Sequence, residues 1–470
     1  MRRTALVAIL TLAAGLALGP VQATAASLPA GCSAAPGETL CTGTFADGAL
    51  YKVEVPNRWN GTLLLYSHGY VLPGPPYFPT PGTNLATDVG DPITGAWALA
   101  HGYALAGSSY SARGWALQEA FNDQLSVLDW VRSNFGTPAR TIAWGHSLGG
   151  IITAGLLQRN PERFSGGLPM CGVVAGGVGT WNQALDSAFA VKTLLAGSAP
   201  LQVVGISSPF ANFLLAENIL TAAQSTPQGR ARLALAAALS DTPGWFDRAS
   251  PEPAPTDFAA RELNQFLWFS RVDAIFIFDL RAELEARAGG NPSWNTDVNY
   301  RVQLSHSIDA DEVEALYQDA GLDLDADLAA LNAAPRISAD PSAVDYLKQN
   351  IVFDGEISAP VLTMHTTGDG LVVDNDESAY AAAVRSAGNQ SLLRQVYVHR
   401  AGHCTFTPAE TVAALQTLVH RLDTGRWKGS TDPATMNAAA SSLGPTFNPD
   451  PASFFDFRPA RFLRPFNLGD

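Results

Sequence analysis

The sequence predicts an α/β fold: a mostly parallel sheet flanked by helices, with a large helical insertion late in the sheet. Three observations predict it. Short, continuously apolar runs alternate with amphipathic runs from about residue 45 to 175, and the alternation resumes from 350 to 425. Between these blocks, residues 176–350 show helical periodicity and no convincing strand. At Arg140–Gly150, RTIAWGHSLGG, an apolar run meets a Gly-rich turn and then an apolar-periodic segment, the signature of strand, tight turn and helix.

Residues 1–25 read as a secretory signal peptide. Arg2 and Arg3 precede an apolar run from Ala5 to Gly19, and Ala23-Thr24-Ala25 offers a cleavage site. The run is shorter than the roughly 20 residues a membrane span needs, so no anchor is expected after cleavage. The paired arginines leave general and twin-arginine export both open. The expected destination is extracellular.

An even cysteine count in an exported chain suggests two disulfides, with three pairings open to Cys32, Cys41, Cys171 and Cys404. The short spacing favours a local Cys32–Cys41 clip, which leaves Cys171 with Cys404.

Leu50–Val55 is the first strand expected, and Thr62–Ser67, TLLLYS, is a fully apolar second that runs into His68-Gly69-Tyr70. The Pro/Gly-rich LPGPPYFPTPG that follows suits neither helix nor central strand. Ala96–His101 reads as a short helix and Tyr103–Gly107 as a strand. Leu117–Asn134 places Leu125, Leu128 and Val131 on one helix face. Then come strand Thr141–Trp144, helix Ile151–Leu157 and strand Gly167–Met170.

In the insertion, helices are expected at Ala184–Leu195, Phe210–Ala223, Arg230–Leu239, Phe258–Arg287, Asp311–Ala320 and Ala326–Leu331. Phe266–Leu280, FLWFSRVDAIFIFDL, reads first as the core of this cover and second as the wall of an apolar substrate pocket. Asp309, Asp311, Asp323, Asp325 and Asp327 read as a solvated helix face, since no glycine follows at the calcium-loop position.

After the insertion, strand Pro360–His365, helix Ser378–Ser386, strand Arg394–His399 and helix Pro408–Leu422 restore the alternation. The expected organisation is thus a core of residues 26–175 and 351–429, an insertion of 176–350, and an extended tail of 430–470. A net charge of −14 argues against nucleic-acid partners.

Gly145-His146-Ser147-Leu148-Gly149 is a G-x-S-x-G pentapeptide. A chain this rich in glycine shows roughly 0.2 such matches by chance, so its partners carry the argument. A serine nucleophile needs a base, and the base needs an orienting acid. His403, in Ala401-Gly402-His403-Cys404, follows the late strand Arg394–His399. Asp369, between Gly368 and Gly370, follows the strand before it and is preferred over Asp374 and Asp376, which begin the next helix. All three lie at the C-terminal edge of the sheet, where catalytic groups of open α/β sheets collect.

This elbow, the order Ser147…Asp369…His403, the His68-Gly69 turn and the helical insertion together resemble the α/β-hydrolase fold superfamily, and within it exported serine esterases and lipases. Gly102–Tyr110, GYALAGSSY, also looks like that superfamily's strand-to-loop segment. The resemblance implies Ser147 as nucleophile, His403 as base and then acid, and Asp369 as the group fixing the imidazole tautomer. It implies an oxyanion hole from the backbone N–H of Leu148 and of Tyr70, with no metal and no cofactor. The implied substrate is a small-molecule or polymeric ester with an apolar acyl or aryl group.

The chain is also similar to the tannase and feruloyl-esterase group, which ties a cysteine beside the nucleophile to one beside the histidine. It departs from that group at position 146, which is His; His146 reads as structural packing. A second reading is an exported amino- or prolyl-type peptidase. Its GGPG-like segment is replaced here by His-Gly-Tyr, and Glu217, Glu262 or Glu283 would have to hold a substrate amine. A third is a non-catalytic binding protein on the same scaffold.

Overall fold

The computed structural model describes Met1 and residues 28–467. Apart from Met1, the leader expected at residues 1–25 lies outside the described residues. Ten strands are present among them: β1 (Cys32–Ala35), β2 (Glu38–Thr44), β3 (Leu50–Pro56), β4 (Thr62–Ser67), β5 (Ala104–Ser108), β6 (Arg140–His146), β7 (Gly166–Met170), β8 (Val361–Gly368), β9 (Leu393–Ala401) and β10 (Phe454–Phe455). They form one sheet in the order β1-β2-β3-β5-β4-β6-β7-β8-β9-β10. The six strands from β5 to β9 in this order run parallel, and antiparallel strands flank them on both sides.

The central strands are apolar throughout because both faces are covered. Leu63, Leu65 and Ala143 point into a core with Phe121 and Val127 of α2 (Leu117–Phe135), which follows α1 (Pro92–Ala100). Their neighbours Leu64, Ile142 and Trp144 point the other way, toward Trp97 of α1 and the helix Pro408–Thr424. Thr407 and Glu410 close a reciprocal capping box on that last helix, and Arg400 makes a paired contact with Glu410 at 2.7 and 3.0 Å.

Helix α3 (Leu148–Arg159) follows β6, and α4 (Gly176–Leu195) follows β7. From α4 to the helix Pro341–Gln349, the chain between β7 and β8 is helical and builds its own apolar core around Phe189, Leu235, Phe278 and Tyr317. Four differences from the sequence reading are informative. The expected single helix Phe258–Arg287 is broken into α-helices Phe258–Trp268 and Arg281–Ala288, with π-helical turns at Phe269–Asp273 and Phe276–Leu280 between them. The acidic run is not a solvated face throughout: Asp309 is buried against Arg261, 2.5 Å away. The tail is not extended throughout, because Pro433 starts a helix, Pro433–Ser441, and β10 pairs with β9. The strands β1 and β2 at one end of the sheet were not anticipated. No described helix is long and apolar enough to cross a membrane.

Candidate active site

Ser147 sits in the turn between β6 and α3 with φ 58° and ψ −123°, a left-handed backbone that a serine seldom adopts. Its amide donates to the Met170 carbonyl at 3.0 Å. The flanking glycines are required by contact. A Cβ on Gly145 would lie 2.5 Å from the Ser67 carbonyl oxygen, and one on Gly149 would lie 1.9 Å from that same atom. Across from the serine, a Cβ on Gly69 would meet Ser147 Cβ at 3.4 Å, so the His68–Tyr70 turn lies directly against the elbow. That turn is braced: the His68 ring stacks on Tyr110 at 3.9 Å, and the Tyr110 hydroxyl donates to the His68 carbonyl at 3.1 Å. Leu148 is the first residue of α3, so its amide has no carbonyl partner within the helix.

Asp369 follows β8 and is fully buried. Its Oδ1 accepts from the amides of Leu371 and Val372, each at 3.1 Å. Its Oδ2 accepts from His403 Nδ1 at 2.7 Å. Burial pushes this carboxyl's pKa up, but His403 and His365 outweigh it, and the net shift is downward. Asp376 accepts only from the Ala175 amide, at 3.4 Å, and burial raises Asp374 and Asp376 to about 7 and about 8. Of these three carboxyls, Asp369 is the one shifted below its usual range and the one in contact with His403. The loop is also pressed from the insertion, since a Cβ on Gly370 would lie 2.3 Å from the Trp268 ring.

His403 follows β9 and is only partly buried. Its other nitrogen, Nε2, stands 3.3 Å from Cys404 Sγ. Cys404 is bonded to Cys171, and Cys32 to Cys41, the pairing expected from the spacing. Cys171 and Cys404 share the left-handed backbone of Ser147, with φ of 42° and 56°. Their sulfurs, with His403, form a group of metal-ligating elements, but a disulfide offers no thiolate to a metal. Among the described residues Ser147 Oγ makes no hydrogen bond to His403. His146 packs beside the elbow with Nδ1 3.1 Å from the Tyr66 hydroxyl, and burial together with His403 lowers it to about 4, so it is neutral.

Ser147, Leu148 and Tyr70 line one cavity of about 880 Å³, mouth included. Trp115, Trp181, Phe269 and Phe276 contribute aromatic side chains to walls that also carry aliphatic, hydroxyl and carboxyl groups. The Phe266–Leu280 stretch thus supplies wall as well as cover. Two groups were missed by sequence reasoning. His365, on β8, stands behind Asp369 and contacts Glu377; a histidine inside the strand, four residues before the acid that follows it, was the available signal. Asp273, in the first π-helical turn, lines the cavity, and nothing in its local sequence separates it from other helix aspartates.

Residues 97–182, which include the elbow, match the model of the prolyl oligopeptidase family. The o-phthalyl amidase of Xanthobacter agilis is 31% identical over 429 residues, covering 85% of this chain and 90% of the relative. The chain belongs to the family of that amidase. This places it among the serine hydrolases of the α/β-hydrolase superfamily, as the elbow and sheet order imply. Among solved structures, an esterase from Aspergillus oryzae is 13% identical with a TM-score of 0.41, covering 83% of this chain and 79% of that one. Feruloyl esterase B from the same organism is also 13% identical, with a TM-score of 0.39 over 83% of this chain and 80% of that one.

Proposed function

We propose that this member of the amidase family is a secreted acyl hydrolase that cleaves carboxylic amides and esters through an acyl-enzyme on Ser147. The observation that carries the reading is the 2.7 Å contact between Asp369 Oδ2 and His403 Nδ1. It fixes the tautomer with the proton on Nδ1 and leaves Nε2 as the free base. Ser147 Oγ attacks the acyl carbon and gives its proton to Nε2. The oxyanion takes hydrogen bonds from the amides of Leu148 and Tyr70. His403 passes the proton to the departing amine or alcohol, and water then repeats the sequence to release the acid.

The aromatic cavity supports an apolar or aryl acyl group. The relative's name and the prolyl oligopeptidase match support amide bonds as the natural target. The esters expected from the sequence form the same acyl-enzyme with a better leaving group. Two disulfides, with the leader expected from the sequence, support export. A matched pair of p-nitroanilide and p-nitrophenyl ester of one aryl acid tests the bond type. Turnover of both, lost together in Ser147→Ala, is expected; an ester-only enzyme would refute the amidase reading.

A further inference from the structure

Two hydrogen-bond donors in the wall of the cavity over Ser147 have nothing to donate to. Trp115 and Trp181 are each 5% exposed, and neither indole Nε1 has a hydrogen-bond partner among the described residues. Their rings meet edge to face with centroids 5.5 Å apart, and both line the cavity. Thr180 Oγ1, beside Trp181 in the same wall, is a third buried polar atom without a partner. An indole N–H can only donate. Left unpaired in the interior it costs free energy, so two such groups in one wall point to a ligand oxygen that completes them.

The backbone around them agrees. Thr180 and Trp181 lie in the first two turns of α4, whose amino end carries partial positive charge. A Cβ on Gly177, in the first turn, would lie 3.7 Å from Trp115 Cζ2, a carbon on the nitrogen-bearing edge of that indole. The edge of Trp115 that holds the N–H is thus turned toward the amino end of α4.

The wall holds acceptors too: Asp273 Oδ1 and Gln183 Oε1 have no donor. No Lys, Arg or His lines the cavity. Burial raises the carboxyls of Asp273 and Asp376, the latter to about 8, which favours their uncharged forms at neutral pH. The lining therefore selects hydrogen-bonding groups rather than a formal charge. A carboxyl donates or accepts according to its protonation, whereas the two indoles are completed only by an acceptor.

We propose that Trp115 and Trp181 set acyl specificity: their N–H groups hold an oxygen acceptor that the acyl group carries in addition to its scissile carbonyl. The class is aryl acyl groups with a second carbonyl, carboxamide or carboxylate oxygen. This deepens the acyl-hydrolase reading and rests on it for the word acyl.

The test is calorimetric binding of 1,2-, 1,3- and 1,4-diacetylbenzene, each against the counterpart in which an isopropyl group replaces one acetyl. These pairs share shape and carry no charge, so only the second oxygen differs. Wild-type protein is expected to bind the diacetyl compound at least about tenfold more tightly at one ring position or more. In Trp115→Phe and in Trp181→Phe, which keep a ring but lose the N–H, that ratio falls toward one. Indole ¹H–¹⁵N spectra of wild type give a second reading that does not need the variants: two N–H resonances move downfield with the preferred diacetyl ligand and stay in place with its isopropyl counterpart. Equal binding at all three ring positions, an undiminished ratio in either variant, or unmoved indole resonances overturns the proposal. Aryl-ester turnover is measured separately: turnover without the preference refutes this inference alone, and the preference without turnover refutes the hydrolase reading alone.

Discussion

His365 Nε2 stands 3.6 Å from Asp369 Oδ2, the same oxygen that holds His403. Both His365 nitrogens face acceptors: Nε2 lies 2.8 Å from the Val372 carbonyl and Nδ1 3.2 Å from Glu377 Oε1. Only an imidazolium donates from both. Burial disfavours that charge, but Asp369 and Glu377 outweigh burial and raise the pKa well above its usual value. Geometry and the direction of the shift together favour a protonated His365 beside Asp369.

Removing it in His365→Ala takes the facing imidazole from two buried carboxylates and is expected to cost about 3 kcal/mol. Because the folded pKa is raised, the stabilisation is complete below the ordinary value of about 6.5 and is lost as pH rises through the folded value. Urea unfolding of wild type and variant across pH should show the full gap in mild acid and a shrinking gap in alkali. A gap that widens with pH would contradict the charge assignment.

The Cys171–Cys404 bond closes a sequence separation of 233 residues next to His403. Chain entropy assigns such a loop about 5 kcal/mol. The double variant Cys171→Ser/Cys404→Ser should unfold at lower urea concentration. Its kcat should fall by about 10²-fold if the histidine loop drifts by about 1 Å. Unchanged kcat with lowered stability would limit the bond to a structural role.

Gly149→Ala brings a methyl to 1.9 Å from a backbone oxygen that cannot step aside. The elbow must open, at a cost of about 3 kcal/mol. Thermal unfolding and ester turnover should fall together. A stable, active Gly149→Ala enzyme would contradict the close packing of elbow and β4.

The placement of Ser147, Asp369 and His403 after three strands was legible because each follows an apolar strand, and glycines flank or precede it where the backbone turns sharply. The sheet was legible for a related reason: strands covered on both faces, such as TLLLYS, are apolar at every position. What escaped depends on distant partners. β1 and β2 have mixed, half-exposed sides, and their pairing is set by Cys32 lying opposite Cys41. The π-helical turns at Phe269–Asp273 and Phe276–Leu280 keep helix-like composition while shifting the backbone register, so periodicity alone hides them. Gly150 has such a distant partner too: a Cβ there would lie 2.4 Å from Gly172 Cα. His365 and Asp273 acquire meaning only from what the fold places beside them.

The central claim is that Ser147 is the nucleophile of an acyl hydrolase. Intact-mass analysis after treatment with a fluorophosphonate tests it most directly. Wild-type protein should gain one phosphonyl group, mapped to Ser147, as aryl-ester turnover disappears. Ser147→Ala should gain none and lose turnover by roughly 10⁶-fold. An unlabelled but active wild type, or a Ser147→Ala variant that retains turnover, would contradict the account.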